Sequence, residues 1–170
     1  MADPCKWLGN LTDALGAMCI QPDLNAAHEM LHKAERILFI GNGGSAAIAS
    51  HLAVDFQKNG GVTSMAFNDA PMLTCLANDY EYAEVFAKQI GRHAMPGDVL
   101  VAISSSGRSP NILRGVTVAH MRGCRVITLS GFDYDNPLRS MGAINFYIAS
   151  HDYGHVEISS LAVLHSLVEP

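Results

Sequence analysis

The amino-acid sequence predicts an α/β protein built on a doubly wound parallel sheet flanked by helices. Three observations lead there. Short apolar runs of strand length recur along the chain, the strongest are closed by loops of glycine and serine, and stretches of helical period follow them. Strands alternating with helices in this way pair in parallel through right-handed crossovers, and ligands then sit beyond the carboxyl ends of the strands.

From Lys6 to about Ala34 apolar residues recur at helical spacing: Trp7, Leu8, Leu11 and Leu15, then Leu24, Ala27, Met30 and Leu31. Pro22 divides this stretch into two helices, with Asp23 or Asn25 as the N-cap of the second. Residues 36–40 are a short apolar run closed by Gly41, which reads as a buried parallel strand. An alanine-rich helix is expected over 45–56 and a weaker strand over 63–67. Residues 98–103 form the next strong strand, followed by a polar loop over 104–109. Pro110 opens a helix to about Arg122, at a position where its missing N–H costs nothing. Strands over 125–129, ended by Ser130 and Gly131, and over 143–148 precede a final apolar helix over 156–168. No linker, repeat or low-complexity segment interrupts the pattern. The expectation is one domain over 1–170, its N-terminal helices (about 4–34) packing on the sheet or on a neighbouring subunit.

The chain has 170 residues, 49% of them apolar and 16% charged, which excludes intrinsic disorder. A formal net charge of -5 without any basic run gives no footprint for nucleic acid. It does not argue against a phosphorylated small molecule, whose site is built locally from a few donors. Cys5, Cys19, Cys75 and Cys124 form no close pair, so neither a disulfide framework nor a thiolate zinc site is expected. They read as mostly buried small hydrophobes in a reducing compartment. No basic-then-apolar leader opens the chain, and no apolar run approaches the roughly 18 residues of a membrane span. A soluble protein of the cytoplasm, without membrane contact, is expected.

Two loops carry chemistry. Gly41-Asn42-Gly43-Gly44-Ser45 follows a strand and opens a helix, where close backbone approach, exposed N–H groups and the helix dipole favour an anion. The third glycine of a dinucleotide fingerprint is absent, and no Gly-Lys-Ser/Thr makes it a P-loop. The plain alternative is a tight turn with no ligand. Ser104-Ser105-Ser106-Gly107-Arg108-Ser109 then places four hydroxyls around a second strand-to-helix turn, enough with backbone amides to surround the oxygens of a phosphomonoester. Serine-rich loops are often only solvated turns. Two such loops at equivalent positions of one sheet point to phosphate binding.

A second constellation is ionisable. His51 and Asp55 share a helix face, and Glu157 and His165 lie eight residues apart, about 12 Å along a helix. Two histidines and two carboxylates suit a divalent ion such as zinc. An exposed i,i+4 pair and an interface histidine are the plainer alternatives.

Asn42-Gly43-Gly44-Ser45, residues 73–80 (Leu-Thr-Cys-Leu-Ala-Asn-Asp-Tyr) and residues 103–109 together resemble the phosphoheptose isomerases. These are enzymes of the SIS fold, a flavodoxin-like three-layer sandwich, that interconvert sedoheptulose 7-phosphate and a mannoheptose 7-phosphate. The resemblance implies phosphate held by Ser45, Ser104, Ser106 and Ser109, with Gly44 and Ser105 in the same loops and Asn42, Gly43 and Asp79 against the sugar. It further implies one divalent metal per subunit, zinc, on His51, Asp55, Glu157 and His165, with Glu157 also facing substrate. Asp55 and His165 become the catalytic acid and base, in either order. Relatives are homotetramers with active sites at subunit contacts, supplying heptose for a lipopolysaccharide precursor. Two departures stand out: Asp55 replaces a Glu and Glu157 a Gln, the second adding a negative charge that strengthens the need for a cation. Gly154-His155-Val156-Glu157-Ile158 also replaces the usual Asp-Arg-Ile-Gln-Glu, leaving His151, Tyr153 and His155 to rebuild part of the substrate wall. The rival expectations are a non-catalytic phosphosugar-binding or protein-interaction module, and an isomerase of another sugar phosphate.

Overall fold

The computed structural model describes residues 3–18 and 23–169. Strands β1 (Ile37–Gly41), β2 (Ser64–Ala66), β3 (Val99–Ser104), β4 (Arg125–Ser130) and β5 (Ile144–Tyr147) make one parallel sheet in the order β2-β1-β3-β4-β5. Every residue of β1 and β3 is buried, as their unbroken apolar runs require of strands covered on both faces. The chain leaves β1 to one side for β2 and returns on the other for β3, so the topological switch point lies between β1 and β3. Gly41 is paired with Ile103, and Ser104 with Ser130, which brings the loops leaving β1, β3 and β4 out at one edge.

The helices are α1 (Pro4–Met18), α2 (Leu24–His32), α3 (Gly44–Lys58), α4 (Ala70–Asp79), α5 (Val85–His93), α6 (Pro110–Met121) and α7 (Tyr153–His165). Alternate strand residues split the core in two. Ile37, Phe39, Val101 and Ile103 pack with Leu31 of α2, Leu52 and Phe56 of α3, and Leu164 of α7. Leu38, Ile40, Leu100 and Ala102 pack with Phe86 and Ile90 of α5 and with Ile112 and Val116 of α6. This is the three-layer α/β arrangement expected from the sequence.

Strand positions agree with the sequence reading to within a residue or two. Asp23 does precede α2, although its side chain makes no capping hydrogen bond, and Asn25 lies inside the helix. Pro22 and Cys19 lie outside the described residues. The last helix starts three residues earlier than expected, at Tyr153, because the Asp152 side chain caps it by accepting from the His155 N–H. Helices α4 and α5 were not anticipated. The cysteines also depart from expectation: Cys124 is buried, but Cys5 and Cys75 are exposed, since each sits on a helix with little or no buried face.

At the opposite end of the sheet Arg36 and Asp98, which directly precede β1 and β3, form a two-pronged ion pair (Nε–Oδ1 3.0 Å, Nη2–Oδ2 2.6 Å). Asp98 is 1% exposed and also accepts from the Met95 N–H. The central strand pair is therefore clipped at its amino ends, while its carboxyl ends stay free for a site. Among the described residues no helix is long and apolar enough to cross a membrane.

Candidate active site

The loop after β1 enters α3 through Gly43, whose φ of 55° lies in the left-handed region that favours glycine. The first turn of α3 then faces the switch point with its unpaired N–H groups and positive dipole end. The loop after β3 turns at Gly107 (φ 62°), where the Gly107 N–H donates to the Ser104 carbonyl. Ser104 and Ser105 are buried, the Ser104 hydroxyl lies 3.2 Å from that of Ser109, and the Ser106 hydroxyl accepts from the Arg108 N–H.

The two loops converge. Asn42 and Ser45 from the first, Ser104, Ser105, Ser106 and Ser109 from the second, and Tyr153 and Glu157 from α7 enclose a cavity of about 150 Å³. Hydroxyls and a helix N-terminus form most of that wall, a surface suited to a phosphomonoester.

An amide pair locks the loops together. Asn42 Nδ2 donates to Asn111 Oδ1 (3.0 Å), and Asn111 Nδ2 donates back to Asn42 Oδ1 (2.8 Å). The Tyr82 hydroxyl donates to the same Asn42 oxygen at 3.1 Å. Sequence reasoning found Asn42 but not Asn111 or Tyr82. Neither carries a local signal, because the contacts join residues 69 and 40 positions apart.

Further along the same two helices lies the ionisable group. Asp55 Oδ2 is 3.1 Å from His51 Nε2 and 3.5 Å from His165 Nδ1, and one ligand atom from each of the three fits within 4.8 Å of the others. Two imidazole nitrogens and a carboxylate oxygen at that separation fit a borderline divalent cation. The i,i+4 pairing of His51 with Asp55 is also present, so the plainer reading and the ligand reading use the same contact.

Glu157, expected as the fourth ligand, is not in this group. Its carboxylate lies against the backbone of Gly44, where an added Cβ would come 2.3 Å from Oε2. The reason is helical rise. Glu157 and His165 are eight residues apart on α7, about 12 Å, and α3 runs alongside with Ser45 near one end of that span and Asp55 near the other. Asp79 is also displaced from expectation. It is exposed at the end of α4, accepts from Asn78 Nδ2 and from Cys75 Sγ, holds the Cys75 thiol above its ordinary pKa, and does not line the cavity.

His155 is buried rather than part of a substrate wall. Its ring contacts the Trp7 carbonyl and the Ser150 hydroxyl and packs on the Trp7 ring, which fastens α1 to the start of α7.

Residues 17–131 match the family model described as SIS domain. A phosphoheptose isomerase of Coxiella burnetii is 37% identical over 142 residues, covering 79% of this chain and 71% of that protein. One of Thiobacillus denitrificans is 47% identical over 102 residues, covering 56% of this chain and 52% of that protein. The solved structure of a phosphoheptose isomerase from Neisseria gonorrhoeae superposes with a TM-score of 0.88 at 29% identity, over 96% of this chain and 94% of that one.

Proposed function

The chain belongs to the phosphoheptose isomerase family of SIS domain proteins, and on that premise we propose that it converts sedoheptulose 7-phosphate to D-glycero-D-manno-heptose 7-phosphate. It is an enzyme of the aldose–ketose, sugar-phosphate isomerase type. The observation that carries the specific reading is one of length. The phosphate cavity and the Asp55–His165 pair sit at two levels of the same helix pair, roughly two turns apart. Six zigzag carbon–carbon bonds of about 1.5 Å and a phosphoester reach on the order of 10 Å, the span of an extended seven-carbon sugar phosphate.

In this reading Ser45, Ser104, Ser105, Ser106 and Ser109 hold the phosphate, and its remote binding energy orients the reacting carbons. Asn42, Gly43 and Gly44 border the chain beyond it, and Glu157 faces the substrate from α7. One member of the Asp55–His165 pair takes the proton from C1 of the ketose, leaving an enediolate. The other member helps return a proton to C2 while the hydroxyl proton passes from O1 to O2. His51, Asp55 and His165 would hold a divalent ion, zinc by its donor set, which would supply Lewis-acid stabilisation of negative charge developing on the substrate.

The same reading carries one SIS domain over residues 1–170 and a cytoplasmic homotetramer with sites at subunit contacts, feeding heptose to a lipopolysaccharide precursor. Helix α1, which buries only Met18 of its 15 residues, supports further packing of this kind. Sedimentation as a stable monomer would count against it.

The direct test is incubation with sedoheptulose 7-phosphate alongside elemental analysis of wild type and His51→Ala. Turnover with near-stoichiometric metal, lost in the variant, is expected. No turnover of any ketose phosphate with metal supplied would sink the reading.

A further inference from the structure

An aromatic group at the rim of the phosphate cavity has no part in the chemistry above. Phe132 follows β4 by two residues, and its neighbour Gly131 donates its N–H to the Ser105 carbonyl at 2.9 Å, which ties the segment to the phosphate loop. Phe132 has a φ of 56°, the only non-glycine among the described residues with a left-handed backbone. A bulky residue there is strained and persists only where its surroundings over-determine it. Here they do. The Phe132 N–H donates to the Ser150 carbonyl (2.9 Å), and its own carbonyl accepts from the Tyr147 hydroxyl (2.7 Å).

The strained backbone aims the Phe132 ring at the start of α7. It meets Tyr153 edge-on (centroids 4.8 Å, 77°) and stacks on His151 (5.6 Å, 17°). Tyr153 in turn lines the phosphate cavity, yet remains 62% exposed. The next residue, Gly154, carries no side chain and is pressed against Trp7, so it adds nothing to the rim. One large apolar ring is thus fixed at the mouth of a phosphate pocket and left uncovered.

We propose that Tyr153, set by Phe132 and His151, is a specificity-determining residue against which the carbons next to the phosphate of the bound sugar phosphate pack. The role rests on the sugar-phosphate reading of the cavity and deepens it. With a phosphate seated among the serines, the carbons next to it still lie within the cavity that Tyr153 lines, before the chain runs along α3 and α7 toward Asp55 and His165. The C–H edges of a sugar are apolar and slightly positive, and the face of a phenol ring is negative, so the two attract as the ring is removed from water. Inorganic phosphate fills the serine cradle without reaching the ring.

Calorimetric titration of the full chain with sedoheptulose 7-phosphate and with inorganic phosphate tests this on wild type, Tyr153→Ala and Tyr153→Phe. Tyr153→Ala is expected to weaken the sugar phosphate about tenfold and leave inorganic phosphate unchanged, and Tyr153→Phe to retain both. Unchanged heptulose phosphate affinity in Tyr153→Ala overturns the role. Equal loss in Tyr153→Phe assigns the effect to the hydroxyl and overturns packing, and a parallel loss of inorganic phosphate makes Tyr153 part of the cradle instead. Wild type that binds neither ligand is a different failure: it removes the sugar-phosphate reading, and this role with it.

Discussion

Gly107 and Gly44 both face a side chain across a gap too narrow for a Cβ, yet their substitutions should fail in different ways. At Gly107 an added Cβ would lie 1.9 Å from Asn136 Oδ1. Asn136 cannot yield, being 2% exposed and bonded through Nδ2 to the Gly131 and Asp133 carbonyls. With φ at 62° adding backbone strain, Gly107→Ala should cost about 2 kcal/mol, read as a lower urea midpoint with an unchanged slope. At Gly44 the obstacle is the flexible end of Glu157, so a methyl there moves the carboxylate rather than the fold. Glu157 is the more informative target. It places a negative charge in the wall of an anion cavity and stands outside the His51, Asp55 and His165 group. Glu157→Gln keeps the shape and removes the repulsion, so sugar-phosphate affinity should rise by about three- to tenfold with metal content unchanged. A fall in bound metal would return Glu157 to the ligand set.

Helix α7 shows how an element can be fastened at one end by chemistry that titrates. Asp152 caps it and accepts from Trp7 Nε1 at 3.0 Å, and these bonds, the Trp7 one first, hold the Asp152 carboxyl below its ordinary pKa. A carboxylate whose folded pKa is depressed stabilises above its unfolded pKa and loses that contribution as pH falls through the folded value. The docking of α1 on α7 should therefore weaken only in acid, below the usual aspartate range. Trp7, the single tryptophan, reports it: its emission should shift on acidification, and Asp152→Ala should show the acid-like spectrum at neutral pH. Unchanged emission in that variant would mean the Trp7–Asp152 bond does not hold α1. The elements also show what a sequence displays. β1, β3 and β4 were legible because strands covered on both faces are unbroken apolar runs. α4 was not, since it buries no residue fully and its apolar face is short, only Leu73, Leu76 and Ala77 half-covered, although Asp69 before it and Pro71 in its first turn mark a helix start. In the site, the two glycine- and serine-rich loops were legible because tight turns from a strand end into a helix favour those residues, and the structure brings both to one cavity. Asn111 and Tyr82 were not, being joined to Asn42 only by the fold. The misplacement of Glu157 was foreseeable, because the helical rise between it and His165 already argued against one shared ion.

For the molecule as a whole, the two ends of the central strand pair serve opposite purposes. The carboxyl ends of β1 and β3 diverge at the switch point and border the cavity between the two loops. Their amino ends are clipped by Arg36 and Asp98. Removing one partner of such a pair strands the other, and because the Arg36 side chain is 26% exposed the loss belongs at the low end of the buried-pair range, about 3 kcal/mol for Asp98→Ala. Five residues of β1 separate this pair from the phosphate loop, about 16 Å of strand, beyond the distance at which independent changes couple. The clip should then set stability without touching the site. Sugar phosphate at a hundred times its Kd should add about 2.7 kcal/mol to wild type and the same to Asp98→Ala, measured by urea unfolding with and without ligand. Increments differing by more than about 0.5 kcal/mol would show that the sheet transmits strain from its clipped end to its binding end. Equal increments would make the Arg36–Asp98 pair a stability element alone, open to stabilising redesign at no cost to ligand binding.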